Sequence, residues 1–141
     1  MARPYLGGSS AGVKEVTIAT ALTSADSGKT ILMKASADDL VISLPTLAKG
    51  LELTFVQTKA TAGSTFRINS VAGKIIGSVS QHEGGNADAT TADGLISVLD
   101  GGVNKYIQLT KATGHQGDFI KIVCDGTSWF VVGGIGTYAH E

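Results

Sequence analysis

The feature that most constrains this chain is an alternation of apolar and polar residues with a period of two, which continues from Val13 almost to the C-terminus. One clear example is the run in which Leu53 and Phe55 alternate with Glu52 and Thr54. Successive side chains of a β-strand point to opposite faces, so this pattern predicts strands that each bury one face. No window of ten or more residues has a helical period, and any helix is therefore limited to about one turn.

About ten such segments follow one another, separated by turns rich in Gly, Asn, Asp and Ser. The sequence therefore predicts an all-β fold, either a single β-sandwich that is jelly-roll-like or a flattened barrel, made of about ten short antiparallel strands. The alternation also predicts a hydrophobic core. Its members are Val16, Ile18, Ile31, Met33, Ile42, Leu44, Leu53, Phe55, Phe66, Ile68, Ile107, Leu109, Ile120, Ile122 and Trp129.

Length and composition predict one folded domain with an N-terminal arm. The chain has 141 residues, 43% of them hydrophobic, and a net charge of −1, which excludes intrinsic disorder of the whole chain. Residues 1–12 are rich in Gly and Ser and are predicted to form a flexible arm, whereas residues 13–141 form the β domain. The arm either stays disordered or becomes ordered on a partner. In the second case, the residues that contact the partner are Arg3, Pro4, Tyr5 and Leu6.

Charge and hydropathy narrow the range of partners. The 11 basic residues are balanced by 12 acidic ones, which disfavours a nucleic-acid partner. No apolar run approaches the ~20 residues that cross a bilayer, and no signal peptide is recognisable, so no membrane partner is predicted. The single cysteine, Cys124, is consistent with assembly in a reducing cytoplasm and is expected to be a small buried hydrophobe.

The motifs that carry chemistry are incomplete, and no enzymatic activity is predicted. The run from Ser27 to Thr30 ends like a phosphate-binding loop, but Thr23 stands where that loop requires Gly, and a strand follows instead of a helix. His82 has no second histidine four residues later, so the helical zinc motif is absent. No catalytic residue, cofactor or metal ligand is assigned, although a metal site assembled from distant residues or between subunits remains an open alternative.

The strongest local signal is Asp125-Gly126 between two apolar runs, which predicts a β-hairpin with a two-residue type I′ turn. On one face of this hairpin, Ile120 and Ile122 lie beside Trp129, which we expect in the core; the alternative is that Trp129 and Phe130 form a platform for a sugar. The opposite face is apolar as well, which predicts a second contact with another sheet or another subunit. The predicted subunit-interface residues on that face are Phe119, Val123, Phe130 and Val132.

A further segment, residues 79–93, consists mostly of small and polar residues. Loops of this length inside compact domains are uncommon and are often functional or mobile. The sequence predicts a projecting surface loop here and assigns it no role.

Four short stretches carry a resemblance to a known group of proteins. They are Ser27–Leu32, Ile42–Pro45, Gly50–Phe55 and Gly117–Val131. Together they resemble a β-sandwich module of tailed-bacteriophage virion proteins, which include capsid decoration (cement) proteins and parts of head and tail fibres. The similarity extends over about residues 25–58 and 104–135 and consists of strands and turns rather than a catalytic signature.

The resemblance implies a homotrimeric structural protein that binds the major capsid protein on the outer surface of a phage head and stabilises it. Its location would be the virion, after assembly in the host cytoplasm, and the arm would supply the capsid contact. An arm followed by one β domain is closer to a decoration protein than to a complete fibre. The alternative is a carbohydrate- or receptor-binding domain of a phage tail or head fibre, so a glycan contact stays open.

Overall fold

A computed structural model describes residues 12–34, 39–58, 65–80, 96–100, 106–109, 115–136 and 138–140. The described residues form two β-sheets, which confirms the all-β prediction. Twelve strands lie within the described residues, where about ten were predicted for the chain, because Thr20–Ala21 and Tyr138–His140 also form strands. The strands are β1 Val13–Val16, β2 Thr20–Ala21, β3 Thr30–Met33, β4 Leu40–Ser43, β5 Glu52–Gln57, β6 Phe66–Asn69, β7 Ile75–Ser80, β8 Ile96–Asp100, β9 Tyr106–Leu109, β10 Phe119–Cys124, β11 Trp129–Ile135 and β12 Tyr138–His140.

The two sheets differ in size. Sheet A has seven strands in the order β1-β3-β5-β10-β11-β7-β8, and sheet B has five in the order β12-β9-β6-β4-β2. The chain therefore alternates between the sheets over its first six strands, with odd-numbered strands in sheet A and even-numbered strands in sheet B.

Half of the described strand pairs in the two sheets are parallel, and for these pairs the prediction of antiparallel strands is wrong. Strands β1, β3 and β5 run parallel in sheet A, as do β2, β4 and β6 in sheet B. Strand β11 also pairs with β7 in parallel. Period-two alternation reports which face a residue occupies but not the direction of the neighbouring strand, so the sequence pattern could not distinguish the two arrangements.

One hydrophobic core draws residues from both sheets. Thirteen of the predicted core residues are buried, including Trp129, which is 0% exposed. Ile18 is a wrong prediction, since it is 74% exposed: β1 ends at Val16, and Ile18 lies in the bend before β2. The side chain of Leu109 lies outside the described part of the structure. Core residues that the prediction missed are Leu22, Leu40, Leu51, Ile75, Val79 and Cys124, although the last was expected to be buried.

The β10–β11 hairpin forms, but its turn is longer than predicted. Cys124 pairs with Trp129, which leaves a four-residue loop from Asp125 to Ser128. Gly126 has φ +102°, whereas no non-glycine residue in the described segments has a positive φ, so the two-residue type I′ turn is wrong. The Asp125 carboxylate accepts hydrogen bonds from the backbone N–H groups of Thr127 and Ser128, at 2.7 and 2.8 Å, which stabilises the longer loop.

Helical structure in the described segments is limited to one 3-10 turn, Ser24–Asp26. None of the helices there is long and apolar enough to cross a membrane. The predicted loop 79–93 begins later than expected, because Val79 and Ser80 belong to β7 and Val79 is buried. The rest of that segment lies outside the described residues.

Candidate functional site

The side of sheet A that faces away from the core, here called the A face, carries two apolar rows that run across the strands. The strand register places residues of β3, β5, β10 and β11 side by side in the first row, and residues of β10, β11 and β7 in the second. The first row is Leu32, Val56, Phe119 and Ile135; the second is Val123, Phe130 and Ile76. An antiparallel hairpin usually has one polar face, so these rows mark a surface suited to a further contact.

The predicted interface residues Phe119, Val123 and Phe130 all belong to these rows. Phe119 and Val123 alternate with the buried residues of β10, and Phe130 is the register partner of Val123. Phe119 is 37% exposed, while Val123 and Phe130 are half-buried. Val132, the fourth predicted residue, is 55% exposed and lies at a bulge in β11. The structure therefore brings Phe119, Val123 and Phe130 together on one side of sheet A, and Val132 lies in the same strand as Phe130.

The described ion pairs of the A face each join a lysine to a glutamate of the same chain. Between the two apolar rows, Lys121 Nζ lies 3.1 Å from an oxygen of Glu52. Near the edge strand β1, Lys34 forms a second pair with Glu15. Among the described side chains, Glu15 and Glu52 of this face are each matched by an ammonium group of the same chain, so these positions do not favour a strongly charged partner.

Gly134 packs closely against the backbone of Phe119 and the side chain of Val79. A Cβ atom at Gly134 would lie 2.9 Å from the backbone oxygen of Phe119 and 2.9 Å from Cγ1 of Val79. Such a contact is shorter than packed carbon atoms tolerate, so a larger residue would push β11 away from β10. Gly134 thereby allows β11 to lie close to β10 beside Phe119.

A buried carboxylate connects the first strands of sheet A. Asp26, in the 3-10 turn, is 4% exposed and accepts hydrogen bonds from the Nζ atoms of Lys14 and Lys29, each at 2.9 Å. The backbone N–H of Thr23 donates a third bond at 3.0 Å. Burial alone would raise the pKa of Asp26, but the hydrogen bonds from Thr23, Lys14 and Lys29 outweigh it and hold this pKa well below its usual range. Because each polar partner is satisfied within the chain, the cluster is structural.

The outward side of sheet B, here called the B face, has a different chemistry. Arg67 Nη2 donates a hydrogen bond of 2.9 Å to Oε1 of Gln108, and its guanidinium carbon lies 4.3 Å from the centre of the Tyr106 ring. Asn69 is paired with Tyr106 in the neighbouring register position. This arrangement combines a cation, an aromatic ring and two side-chain amides on a half-buried surface.

Short residues flank this cluster. Val41 and Ser43 of β4 are the register neighbours of Arg67 and Asn69, and Ala139 of β12 is that of Gln108. The sequence prediction missed the cluster, because Arg67 and Gln108 are 41 residues apart in the chain. The only available signal was that Arg67 lies between the core positions Phe66 and Ile68. This alternation shows that Arg67 faces outward but does not identify the residues beside it on neighbouring strands.

The rejected motifs have structural roles. Gly28 donates its backbone N–H to the Glu52 carbonyl at 2.8 Å, and the Ser27 hydroxyl accepts the N–H of Glu52, so this turn is attached to β5. Thr30 begins a strand, as predicted, and not a helix. Cys124 is buried, and the buried Trp129 presents no surface on which a sugar could stack.

The remaining candidates give no metal centre within the described ranges. No group of three or more His, Cys, Asp or Glu side chains there is arranged to hold a metal ion. His115 is exposed, and its backbone N–H donates to the Asp118 carboxylate at 2.8 Å. His82 and the predicted capsid-contact residues Arg3, Pro4, Tyr5 and Leu6 lie outside the described residues, as does the side chain of His140.

Comparison with known proteins gave no match: no family model, no curated protein and no solved structure is significantly similar to this chain.

Proposed function

We propose that this chain is a structural virion protein, a capsid decoration (cement) protein that binds the outer surface of a phage head as a homotrimer and stabilises it. The observation that carries the proposal is the A face, where two apolar rows lie beside ion pairs formed within the chain. The resemblance of the strand-and-turn pattern to phage virion modules supports the same function.

We further infer that the two sheets pack as a β-sandwich, since a single core takes its side chains from both of them. In such an arrangement the inner sides of the sheets are used by the core, and only the outer sides and edges are available for assembly. Self-association through the A face would cover its apolar rows, and a closed trimer would do so without leaving an open end.

The A face favours a second copy of this chain over an unrelated charged partner. Its described ion pairs are formed within the chain, so identical copies bring no unpaired charge together at these pairs. Phe119 and Phe130 supply aromatic area, which contributes strongly in the centres of protein interfaces.

Sedimentation of the full chain tests the self-association. We expect a species with three times the 14.4 kDa mass of the chain. Phe130→Glu should dissociate it, because a carboxylate would have to be buried without a partner. Val132→Glu tests the fourth predicted interface residue, which is more exposed, so the fold tolerates a charge there more easily.

Val71→Glu is the matched control, since Val71 is 74% exposed and lies outside the strands of the A face. It should remain trimeric, and circular dichroism should show the same β content in all three variants. A wild-type chain that sediments as a monomer at ~100 μM, a concentration at which even weak specific assemblies form, would contradict the homotrimer.

Binding to phage heads tests the capsid function itself. Heads that lack this protein should assemble but lose resistance to heat, and addition of the purified chain should restore it. The capsid contact is assigned to the arm, and three arms on one trimer gain affinity through effective concentration. Labelled protein found only on the tail in electron micrographs would contradict decoration and favour a fibre.

A deletion of residues 1–11 isolates the role of the arm. The deletion stops there because the carbonyl of Gly12 accepts the backbone N–H of Thr30 at 2.8 Å, a bond that supports β1. The shortened chain should stay trimeric and fail to bind heads. If it binds heads as well as the full chain does, the anchor role of Arg3, Pro4, Tyr5 and Leu6 is wrong.

A further inference from the structure

We propose that the B face is a binding site for a carboxylate-bearing saccharide, such as one that contains a uronic or sialic acid, with Arg67 as the residue that recognises the carboxylate. This site lies on the opposite sheet from the A face and does not depend on self-association. The inference comes from the juxtaposition of Arg67, Tyr106 and Gln108 on neighbouring strands β6 and β9.

Arg67 supplies the positive charge of the B face. It is the only ionised side chain among the described outward residues of β4, β6 and β9. Within those described segments Arg67 forms no salt bridge with a carboxylate. Asp39, which lies just before β4, accepts the backbone N–H of Thr65 at 2.8 Å. The B face therefore has a positive charge where the A face has matched pairs.

Two contacts hold the guanidinium of Arg67 in one orientation. Its position over the Tyr106 ring and its hydrogen bond to Gln108 fix the plane of the group. A guanidinium has five N–H donors in a fork that matches a carboxylate in a bidentate manner, and only one of them is used by Gln108. A fixed fork loses little conformational entropy when it binds, so Arg67 is preorganised for an anionic oxygen pair.

The donors around Arg67 select the ligand further. Because the guanidinium only donates, the hydrogen bond requires Oε1 of Gln108 as its acceptor, and the side-chain NH₂ of Gln108 is left as a donor. Guanidinium and amide donors together favour a ligand rich in acceptor oxygens. Ser43 and Asn69 add a hydroxyl and a second amide in the adjacent register positions.

The shape of the surface favours a saccharide over an acidic peptide. Val41 and Ser43, the register neighbours of Arg67 and Asn69, are short, half-buried residues beside the longer side chains of the cluster. Val41 is the only aliphatic side chain among the described outward residues of β4, β6 and β9, so these strands offer little apolar area to a peptide side chain, whereas sugar hydroxyls can bond to the amides of Asn69 and Gln108.

The test is calorimetry and saturation-transfer NMR on the full chain, with 3′-sialyllactose and tri-galacturonic acid as probes and lactose as the neutral control. At least one acidic probe should bind with a dissociation constant of about 1 mM or lower, lactose should not bind, and added salt should weaken the interaction. Arg67→Gln should weaken binding about tenfold or more, because it removes a charge-assisted bidentate contact.

Two further variants separate the fork from the charge. Arg67→Lys keeps the positive charge and loses the bidentate geometry, so it should also bind clearly more weakly than the wild type. Lys49→Gln removes one charge at an exposed position of the turn before β5 and should bind as the wild type does. Circular dichroism and thermal unfolding confirm that each variant is folded.

The site is overturned if neither acidic probe binds at ~10 mM, or if folded Arg67→Gln binds as tightly as the wild type. It is equally overturned if a Glu-rich peptide binds more tightly than both saccharides, since the partner is then protein. Trimer formation is measured separately by sedimentation, so failure of this site and failure of the proposed assembly are distinguishable.

Discussion

The A face and the B face are the outward sides of two sheets that share one core, and they differ in how charge is handled. On the A face, Glu52 and Glu15 are each paired with a lysine of the same chain, and apolar rows run beside them. On the B face, Arg67 is held by an aromatic ring and an amide, with no carboxylate among its described contacts. A surface with matched charges and exposed apolar area suits a second copy of the chain, whereas an unmatched, oriented cation suits an anionic ligand.

The largest effect is expected where both faces depend on the same residue. Trp129→Ala should lower the free energy of unfolding by ~3 to 5 kcal/mol, because it empties the volume of a fully buried side chain in the core. Both self-association and saccharide binding should then weaken together. Chemical denaturation measures the change, and a loss below ~1 kcal/mol would place the ring at the surface.

Trp129→Phe sharpens that result. The indole Nε1 is buried and has no hydrogen-bond partner among the described residues, so its removal costs no hydrogen bond there. We expect a smaller loss of stability than for Trp129→Ala. An equal or larger loss for Trp129→Phe would indicate that the indole nitrogen has a partner in the folded protein.

An intermediate effect is expected at Asp26, which supports sheet A only. Asp26→Asn should destabilise the protein by ~1 to 3 kcal/mol at neutral pH, since it removes the acceptor charge between Lys14 and Lys29. Hydrogen exchange should accelerate in β1 and β3 more than in β6 and β9. Equal acceleration in both sheets would show that the cluster does not act locally.

The pH dependence follows from the lowered pKa of Asp26. A carboxyl whose pKa is lower in the folded state contributes its full stabilisation above the unfolded-state pKa of ~3.9 and loses it as pH falls toward the folded value. The wild type should therefore lose stability progressively below about pH 4, and the difference between wild type and Asp26→Asn should shrink there. A difference that stays constant down to pH 2 would contradict this assignment.

The smallest effect is expected for the ion pair on the A face. Glu52 and Lys121 are both partly exposed, so replacing both with Gln should change the stability of the isolated chain by less than ~1 kcal/mol. Lys121→Gln alone should weaken self-association, because Glu52 is then unmatched at the interface, and Glu52→Gln in the same chain should restore it. Saccharide binding should stay the same in all of these variants.

Alternation predicted most of the residues that face inward. Each wrong prediction has a local cause. Ile120 and Ile122 follow from alternation alone, since each strand needs only its own sequence to assign its faces. Ile18 fails because β1 ends two residues earlier, and alternation does not mark strand ends. The apolar residues Phe119 and Phe130 were predicted on one outward face, and that arrangement survives a change of hairpin register by two residues, which keeps each side chain on its face.

The sequence by itself determined that this chain is all-β, that thirteen of the predicted core side chains are buried and that one hairpin is apolar on both sides. Only the tertiary structure decided that the first six strands wind in parallel between two sheets, and that Arg67 meets a residue 41 positions away. The physical reason is the range of the interactions. Facing depends on the local backbone geometry of a strand, whereas strand order, direction and cross-strand neighbours depend on pairings between distant segments, on which a period of two carries no information.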